Sequence, residues 1–232
     1  MIKKEDFMNG ITYLGHSAFH IKNDLASVLV DPWFLHKKNL DFDFQKRGIS
    51  DIFLTHAHGD HFGDTLPIAQ RSGALVSAVV ELANACSGMH VKTKGVNFGA
   101  DIEYPWGTAQ FFPAAHTSSL SNGAYAGVAA GILFDFDGIK VYHAGDTGLC
   151  PQLELIGKLY EPYYAMLPIG GFYTMGIKEA AEAAKMLGAK EVIPMHYNTF
   201  DNIKADPFEF KNLVENSGIT CHVMNEGDFL PF

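Results

Sequence analysis

Cysteine is scarce in this chain of 232 residues: there are 3, Cys86, Cys150 and Cys221, an odd number with no C-x-x-C spacing. That excludes a disulfide framework and a thiolate metal site, and it points to free thiols in a reducing compartment. Positive charge is also sparse, with Lys+Arg 17 against Asp+Glu 26 and a formal net charge of −9. Nothing basic is massed in one place, so broad binding to nucleic acid or to an anionic membrane surface is not expected. No run of about 18 apolar residues occurs, so no membrane partner is expected. The start, Met1-Ile2-Lys3-Lys4-Glu5-Asp6, lacks the apolar centre of a secretory signal, and the expected location is the cytoplasm. Heptads, low-complexity tracts and proline-rich linkers are missing as well. What remains is 47% hydrophobic and 19% charged, a globular composition expected to form one α/β domain over residues 1–232.

Histidine is unevenly spread. Three of the 11 His fall in His56-Ala57-His58-Gly59-Asp60-His61, together with a carboxylate, directly after the apolar run Asp51-Ile52-Phe53-Leu54-Thr55. That run reads as a short buried strand. If the chain stays extended beyond it, His56 and His58 project to one side, because side chains alternate along a strand. Gly59 then permits a sharp turn, and Asp60 and His61 arrive from a second direction as a helix begins. Clustered imidazole and carboxylate are the usual ligands of transition metals, and two pairs aimed from different angles suit two ions better than one. One short segment cannot surround two ions, so further ligands must come from elsewhere in the chain.

Residues 11–21 and 26–30 read as a strand pair, with the polar Gly15-His16-Ser17 interrupting the first. His16 is open to a structural or a functional reading. Asp31 closes the second strand, either as a turn former or as a carboxylate that orients a metal-bound imidazole. A helix is expected from His61 to about Arg71, stopped by Ser72-Gly73. Strand, helix and strand follow over 74–99. Residues 108–114 form a strand with His116 at its tip, and 120–127 form a loop. The stretches 128–136 and 139–143 form a hairpin across Asp137-Gly138. Beyond it lies Gly145-Asp146-Thr147-Gly148, which taken alone is compatible with a plain turn. A strand over 165–169 leads into an aromatic-bearing loop, 170–176. The next helix, 177–187, closes at Gly188, and strand 191–195 delivers His196. Asp206-Pro207 opens the last helix, Gly218 ends it, and 219–224 is a final strand. Strands ending in His or Asp, with helices between, bring such tips to one end of a sheet, where α/β proteins place their sites.

The motif His56-Ala57-His58-Gly59-Asp60-His61, the lone His116, the carboxylate of Gly145-Asp146-Thr147-Gly148 and the late His196 together resemble the metallo-β-lactamase superfamily. Ile11-Thr12-Tyr13-Leu14-Gly15-His16-Ser17, Tyr142-His143-Ala144-Gly145, Leu167-Pro168-Ile169-Gly170 with Thr174-Met175-Gly176, and Pro194-Met195-His196-Tyr197 are similar to one branch of it. That branch holds uncharacterised cytoplasmic metal-dependent hydrolases resembling ascorbate-6-phosphate lactonase and N-acylphosphatidylethanolamine phospholipase D-type proteins. The resemblance implies a four-layer αββα sandwich with two mixed sheets and the metal site at one edge. It implies that His56, His58 and His116 hold one metal, that Asp60, His61 and His196 hold the other, and that Asp146 bridges them. His16 and His143 match residues near the pocket of this branch. One departure is visible: Gly171 stands where the branch has Asp. The superfamily's true lactamases use a Cys ligand and no bridging Asp, so antibiotic hydrolysis is not expected.

The implied cofactors are two divalent ions, zinc being favoured and manganese or iron admitted. Their charge, set against Asp60, Asp146 and a bridging hydroxide, leaves about +1 locally. The expected function is therefore a metal-dependent hydrolase that cleaves a small, anionic phosphodiester or lactone/ester substrate, with Asp60, Asp146 and His16 in the chemistry. Two other readings stand beside it: a non-catalytic, metal-stabilised binding module on a hydrolase scaffold, and a ribonuclease Z-like phosphodiesterase. A homo-oligomer is admitted.

Overall fold

The computed structural model describes residues 9–232; residues 1–6, read above for a secretory signal, lie outside the described residues. The first half of the chain forms β1 (Gly10–Gly15), β2 (Ala18–Lys22), β3 (Ser27–Val30), β4 (Asp51–Phe53), α1 (Gly59–Phe62), α2 (Thr65–Ser72), β5 (Leu75–Val79), α3 (Val80–Ser87) and β6 (Lys92–Val96). The second forms β7 (Ile102–Tyr104), β8 (Gly107–Pro113), β9 (Ala130–Phe136), β10 (Ile139–His143), α4 (Gln152–Tyr160), β11 (Tyr164–Pro168), α5 (Ile177–Leu187), β12 (Glu191–Met195), α6 (Pro207–Glu215), β13 (Thr220–Cys221) and β14 (Phe229–Pro231). These elements divide between two compact units.

One unit runs to Asn97 and adds Ser118–Gly127 and Asn225–Phe232. It holds a mixed 7-stranded sheet in the order β14-β1-β2-β3-β4-β5-β6. The pairs β1·β2 and β2·β3 are antiparallel, whereas β3·β4, β4·β5 and β5·β6 are parallel. Two reversals cancel, so β1, β3 and β4 point their carboxyl ends the same way. Ile11, Phe19, Ile21, Leu29, Ile52, Phe53 and Val76 are all buried in it. Unbroken burial along these strands is the mark of a sheet covered on both faces.

The other unit comprises Phe98–Thr117 and Val128–Met224. Its 7-stranded sheet runs β13-β12-β11-β10-β9-β8-β7. Here β10, β11, β12 and β13 are parallel neighbours, and β9 is antiparallel to both β8 and β10. Hence β8, β10, β11 and β12 share one carboxyl edge. The face of α5 that packs inward is small: Ala180, Ala181, Ala183, Ala184 and Leu187 are buried. Alanine lets helices approach closely. A Cβ added at Gly157 of α4 would lie 2.3 Å from the Met186 carbonyl oxygen of α5. Gly188 ends α5 in the left-handed conformation, and the Asp206 side chain caps α6 by accepting from the Phe208 amide.

Two mixed sheets with flanking helices match the expected α/β class, and α5, β12 and the hairpin β9–β10 fall where the sequence placed them. Three expectations need correction. Residues 11–21 are not one strand but the hairpin β1–β2, because Gly15 (φ 98°) and His16 (φ 56°) both take positive φ and turn the chain. The helix after His61 is two helices, split at Gly63, which packs so closely on Pro32 that a Cβ would meet its carbonyl oxygen at 2.5 Å. The last strand shrinks to Thr220–Cys221. Strands β7 and β14 and helix α4 were not anticipated. Among the described residues no helix is long and apolar enough to cross a membrane. Cys86 and Cys221 are buried free thiols and Cys150 is half-buried. Burial pushes the Cys86 thiol up to about 11 and the Cys221 thiol up to about 12.

Candidate metal centre

In the first unit, the carboxyl ends of β1, β3 and β4 deliver His16, Asp31 and the segment from Thr55 to His61 to one edge. Asp31 is fully buried at φ 45°, a conformation that Asp adopts more readily than most residues. Its Oδ1 accepts the Thr55 amide at 2.8 Å, and its Oδ2 accepts the Thr55 hydroxyl at 2.6 Å. The same Oδ2 lies 2.7 Å from His61 Nδ1. An ionised carboxylate only accepts, so His61 Nδ1 carries a proton and Nε2 is the nitrogen left for a ligand role. The single Thr55 hydroxyl proton is already committed to Asp31. Its second contact, 3.0 Å from His56 Nδ1, therefore makes that nitrogen the donor as well. One buried carboxylate thus sets the tautomer of two imidazoles, directly for His61 and through a hydroxyl for His56.

The metal-ligating groups gather here. His56 Nε2 is 3.1 Å from His58 Nδ1. The rings of His56 and His61 lie tilted at 50° to each other with centroids 4.1 Å apart. His16 Nε2 meets Asp60 Oδ2 at 3.0 Å, which makes His16 the donor of that bond. Ligand atoms of His16, Asp60 and His61 lie within 4.8 Å of one another. The short α1 turns Asp60 and His61 into this hollow, as expected from Gly59. The sequence reading also placed Asp31 as a candidate imidazole orienter, and that bond is present. Thr55 was missed: within an apolar run it is indistinguishable from any β-branched strand residue, and only its place beside His56 could have flagged it.

In the second unit, β8, β10 and β12 deliver His116, Asp146 and His196 to their shared carboxyl edge. Asp146 Oδ2 lies 3.4 Å from His116 Nε2 and 3.1 Å from His196 Nε2. Backbone stitching fixes this turn. The Ala115 amide donates to Thr147 Oγ1 at 3.1 Å, the Gly148 amide to the Ala115 carbonyl at 3.1 Å, and the Met175 amide to the Thr147 carbonyl at 3.0 Å. His143 is fully buried, and its Nδ1 accepts the Gly145 amide at 3.1 Å, leaving the proton on Nε2. Beside it, burial raises the Tyr142 phenol far above its ordinary value, so it stays a neutral donor. His196 sits at φ 54° at the end of β12. Within its own unit the chain thus brings His16, Asp60 and His61 together, sets His56 beside His58, and sets Asp146 against His116 and His196.

Both groups suit a divalent transition-metal ion by their donor chemistry: imidazole nitrogens and carboxylate oxygens, with no thiolate among them. The Asp31–His61 pair supplies the carboxylate-to-imidazole hydrogen bond that accompanies most metal-binding histidines. Comparison with known proteins agrees. A family model described as Beta-lactamase superfamily domain matches residues 10–196. A UPF0173 metal-dependent hydrolase of Geobacillus thermodenitrificans is 43% identical over 208 residues, 88% of this chain and 92% of the relative. Another, from Staphylothermus marinus, is 44% identical over 220 residues, 89% of this chain and 91% of the relative. The solved structure of Igni18, described as a novel metallo hydrolase from the hyperthermophilic archaeon Ignicoccus hospitalis, superimposes with a TM-score of 0.89 at 40% identity. It covers 96% of this chain and 97% of its own.

Proposed function

Since the chain belongs to the metallo-β-lactamase superfamily and to its metal-dependent hydrolases, we propose that it holds two divalent ions and hydrolyses a small anionic ester, a phosphodiester or a lactone. In this reading His56, His58 and His116 serve one ion, Asp60, His61 and His196 serve the other, and Asp146 serves both. Zinc is the favoured ion, with manganese and iron as the ions to test against it. When bound, such ions lower the pKa of water toward neutrality and polarise the scissile group's oxygen. The observation that supports the reading is the hydrogen-bond pattern around Asp31, which puts a proton on Nδ1 of both His56 and His61 and so leaves Nε2 as the ligating nitrogen of each.

The chain's own groups then have definable tasks. Asp31 keeps two imidazoles in the ligating tautomer, and the Thr55 hydroxyl transmits that control to His56. Hydrolysis adds the elements of water across the broken bond, so the leaving oxygen must gain a proton. His16, with a proton on Nε2 next to Asp60, is the group we assign to that transfer. Asp60 holds the His16 ring in place and balances positive charge. The net charge of −9 sets a nucleic-acid substrate aside in favour of a small molecule. The cytoplasm is the location consistent with free thiols.

The test is direct. Protein purified without added metal is submitted to elemental analysis, then assayed on phosphodiester, lactone and thioester substrates beside Asp146→Ala. The expected result is two ions per chain in the wild type, fewer in the variant, and turnover that falls to the buffer rate. Equal turnover in both proteins, or no turnover in a wild type with both ions bound, overturns the proposal.

A further inference from the structure

The aromatic loop 170–176 is bolted to the second ligand group at both ends. A Cβ at Gly170 would lie 2.3 Å from the His196 carbonyl oxygen, so the loop leaves β11 pressed against the backbone of that residue. At its far end the Met175 amide donates to the Thr147 carbonyl, one residue from Asp146, and the Gly171 amide closes the loop on the Met175 carbonyl at 2.9 Å. Tyr173 is pinned too, its hydroxyl accepting from Asn202 Nδ2 at 2.9 Å.

Between these anchors Phe172 takes φ 60° and is 77% exposed. Its ring stands edge-on to Tyr173 at 4.7 Å, and Tyr173 is itself 52% exposed. A bulky side chain at positive φ is a backbone outlier, and an exposed phenyl ring gains little from burial. Glycine would meet the same φ without strain, as Gly171 does at φ 68°. The position therefore carries a ring that the fold itself does not need, on a loop anchored against the backbone of Thr147 and His196. Strain of this kind collects at functional sites.

We infer that Phe172 and Tyr173 form an aromatic shelf that selects substrates carrying a flat apolar group next to the anionic centre. The shelf rests on the hydrolase reading above. Its occupant is part of the substrate because the loop hangs from the backbone of the ligand-bearing segments themselves, at 170 and 175. The ring of Phe172 and the face of Tyr173 would stack on that group while the anion sits toward Asp146 and His196.

Phenylphosphonate and methylphosphonate, which are not hydrolysed, are titrated calorimetrically into metal-loaded wild type, Phe172→Gly and Tyr173→Ala, and thermal midpoints are recorded. The expected wild-type preference for the phenyl probe is about fivefold to tenfold, the worth of one aromatic contact. It vanishes in Phe172→Gly and shrinks in Tyr173→Ala, while the midpoint of Phe172→Gly rises as strain is relieved. An unchanged preference in the variants, no preference in the wild type, or a lower midpoint in Phe172→Gly overturns the shelf. So does a wild-type dimer, seen by sedimentation, that Phe172→Gly dissociates, because the ring would then serve a second copy of the chain. If neither probe binds, the anionic-substrate reading fails and the shelf falls with it. If methylphosphonate binds and the phenyl group adds nothing, only the shelf fails.

Discussion

Replacing Asp31 with Asn exchanges one carboxylate oxygen for an amide that donates, and Asn tolerates the same positive φ. The backbone should therefore hold while the proton pattern at His61 and Thr55 is disrupted. Loss of such a partner typically lowers metal affinity about 10–100-fold, which a chelator-competition titration would read. Thr55→Val removes only the His56 link and should weaken binding less; equal losses would contradict a shared carboxylate with one direct and one relayed arm. His20, on β2, behaves differently. Its Nε2 is 2.7 Å from Ser27 Oγ, its ring is edge-on to Phe42, and burial, then Arg47 and Lys22, push its pKa down from 6.5 to about 3. Its folded pKa lies below its unfolded one, so the unfolded chain takes up the extra proton as the medium is acidified. The stability is complete above about pH 6.5 and drains away as pH falls toward about 3, by at most about 1.4 kcal/mol per pH unit. Urea midpoints across that window should flatten in His20→Gln relative to wild type.

At the scale of elements, the α4–α5 contact is set by Gly157. Gly157→Ala drives a methyl group into the Met186 carbonyl and the Leu187 backbone, and an overpacked site of this kind costs about 1–3 kcal/mol. The urea midpoint should fall while metal content stays at the wild-type value; loss of metal would mean that the strain spreads further than the helix pair. Elements were legible where one signal dominated. The run 177–187 alternates alanines and charged residues at helical spacing and stops at Gly188, and 192–195 is apolar between Glu191 and His196. Helix α4 was not legible because Leu155 and Leu159 are exposed beside buried Leu153 and Ile156, which blurs the apolar stripe, and an interior glycine weakens it further. The hairpin β1–β2 was hidden because its turn uses His16 at positive φ within an otherwise continuous β-forming stretch. Strands β7 and β14, 3 residues each, owe their existence to a neighbour's register rather than to their own composition.

For the molecule as a whole, the clustered histidines and the family likeness were plain in the sequence because metal ligation demands particular atoms. The wiring behind them was legible only in part: Asp31 could be read as an orienter of an imidazole, but the Thr55 hydroxyl looks like an ordinary strand residue until the strands are set side by side. The three thiols give this architecture a built-in clock. Cys86 and Cys221 are enclosed and held overwhelmingly in the protonated form, while Cys150 is half-open. A maleimide added to native protein should therefore attach quickly at one position, and the other two should label only as fast as the chain comes apart. Mass spectra taken over time would count those events, and the lag before the second and third adducts would measure how long each native molecule survives.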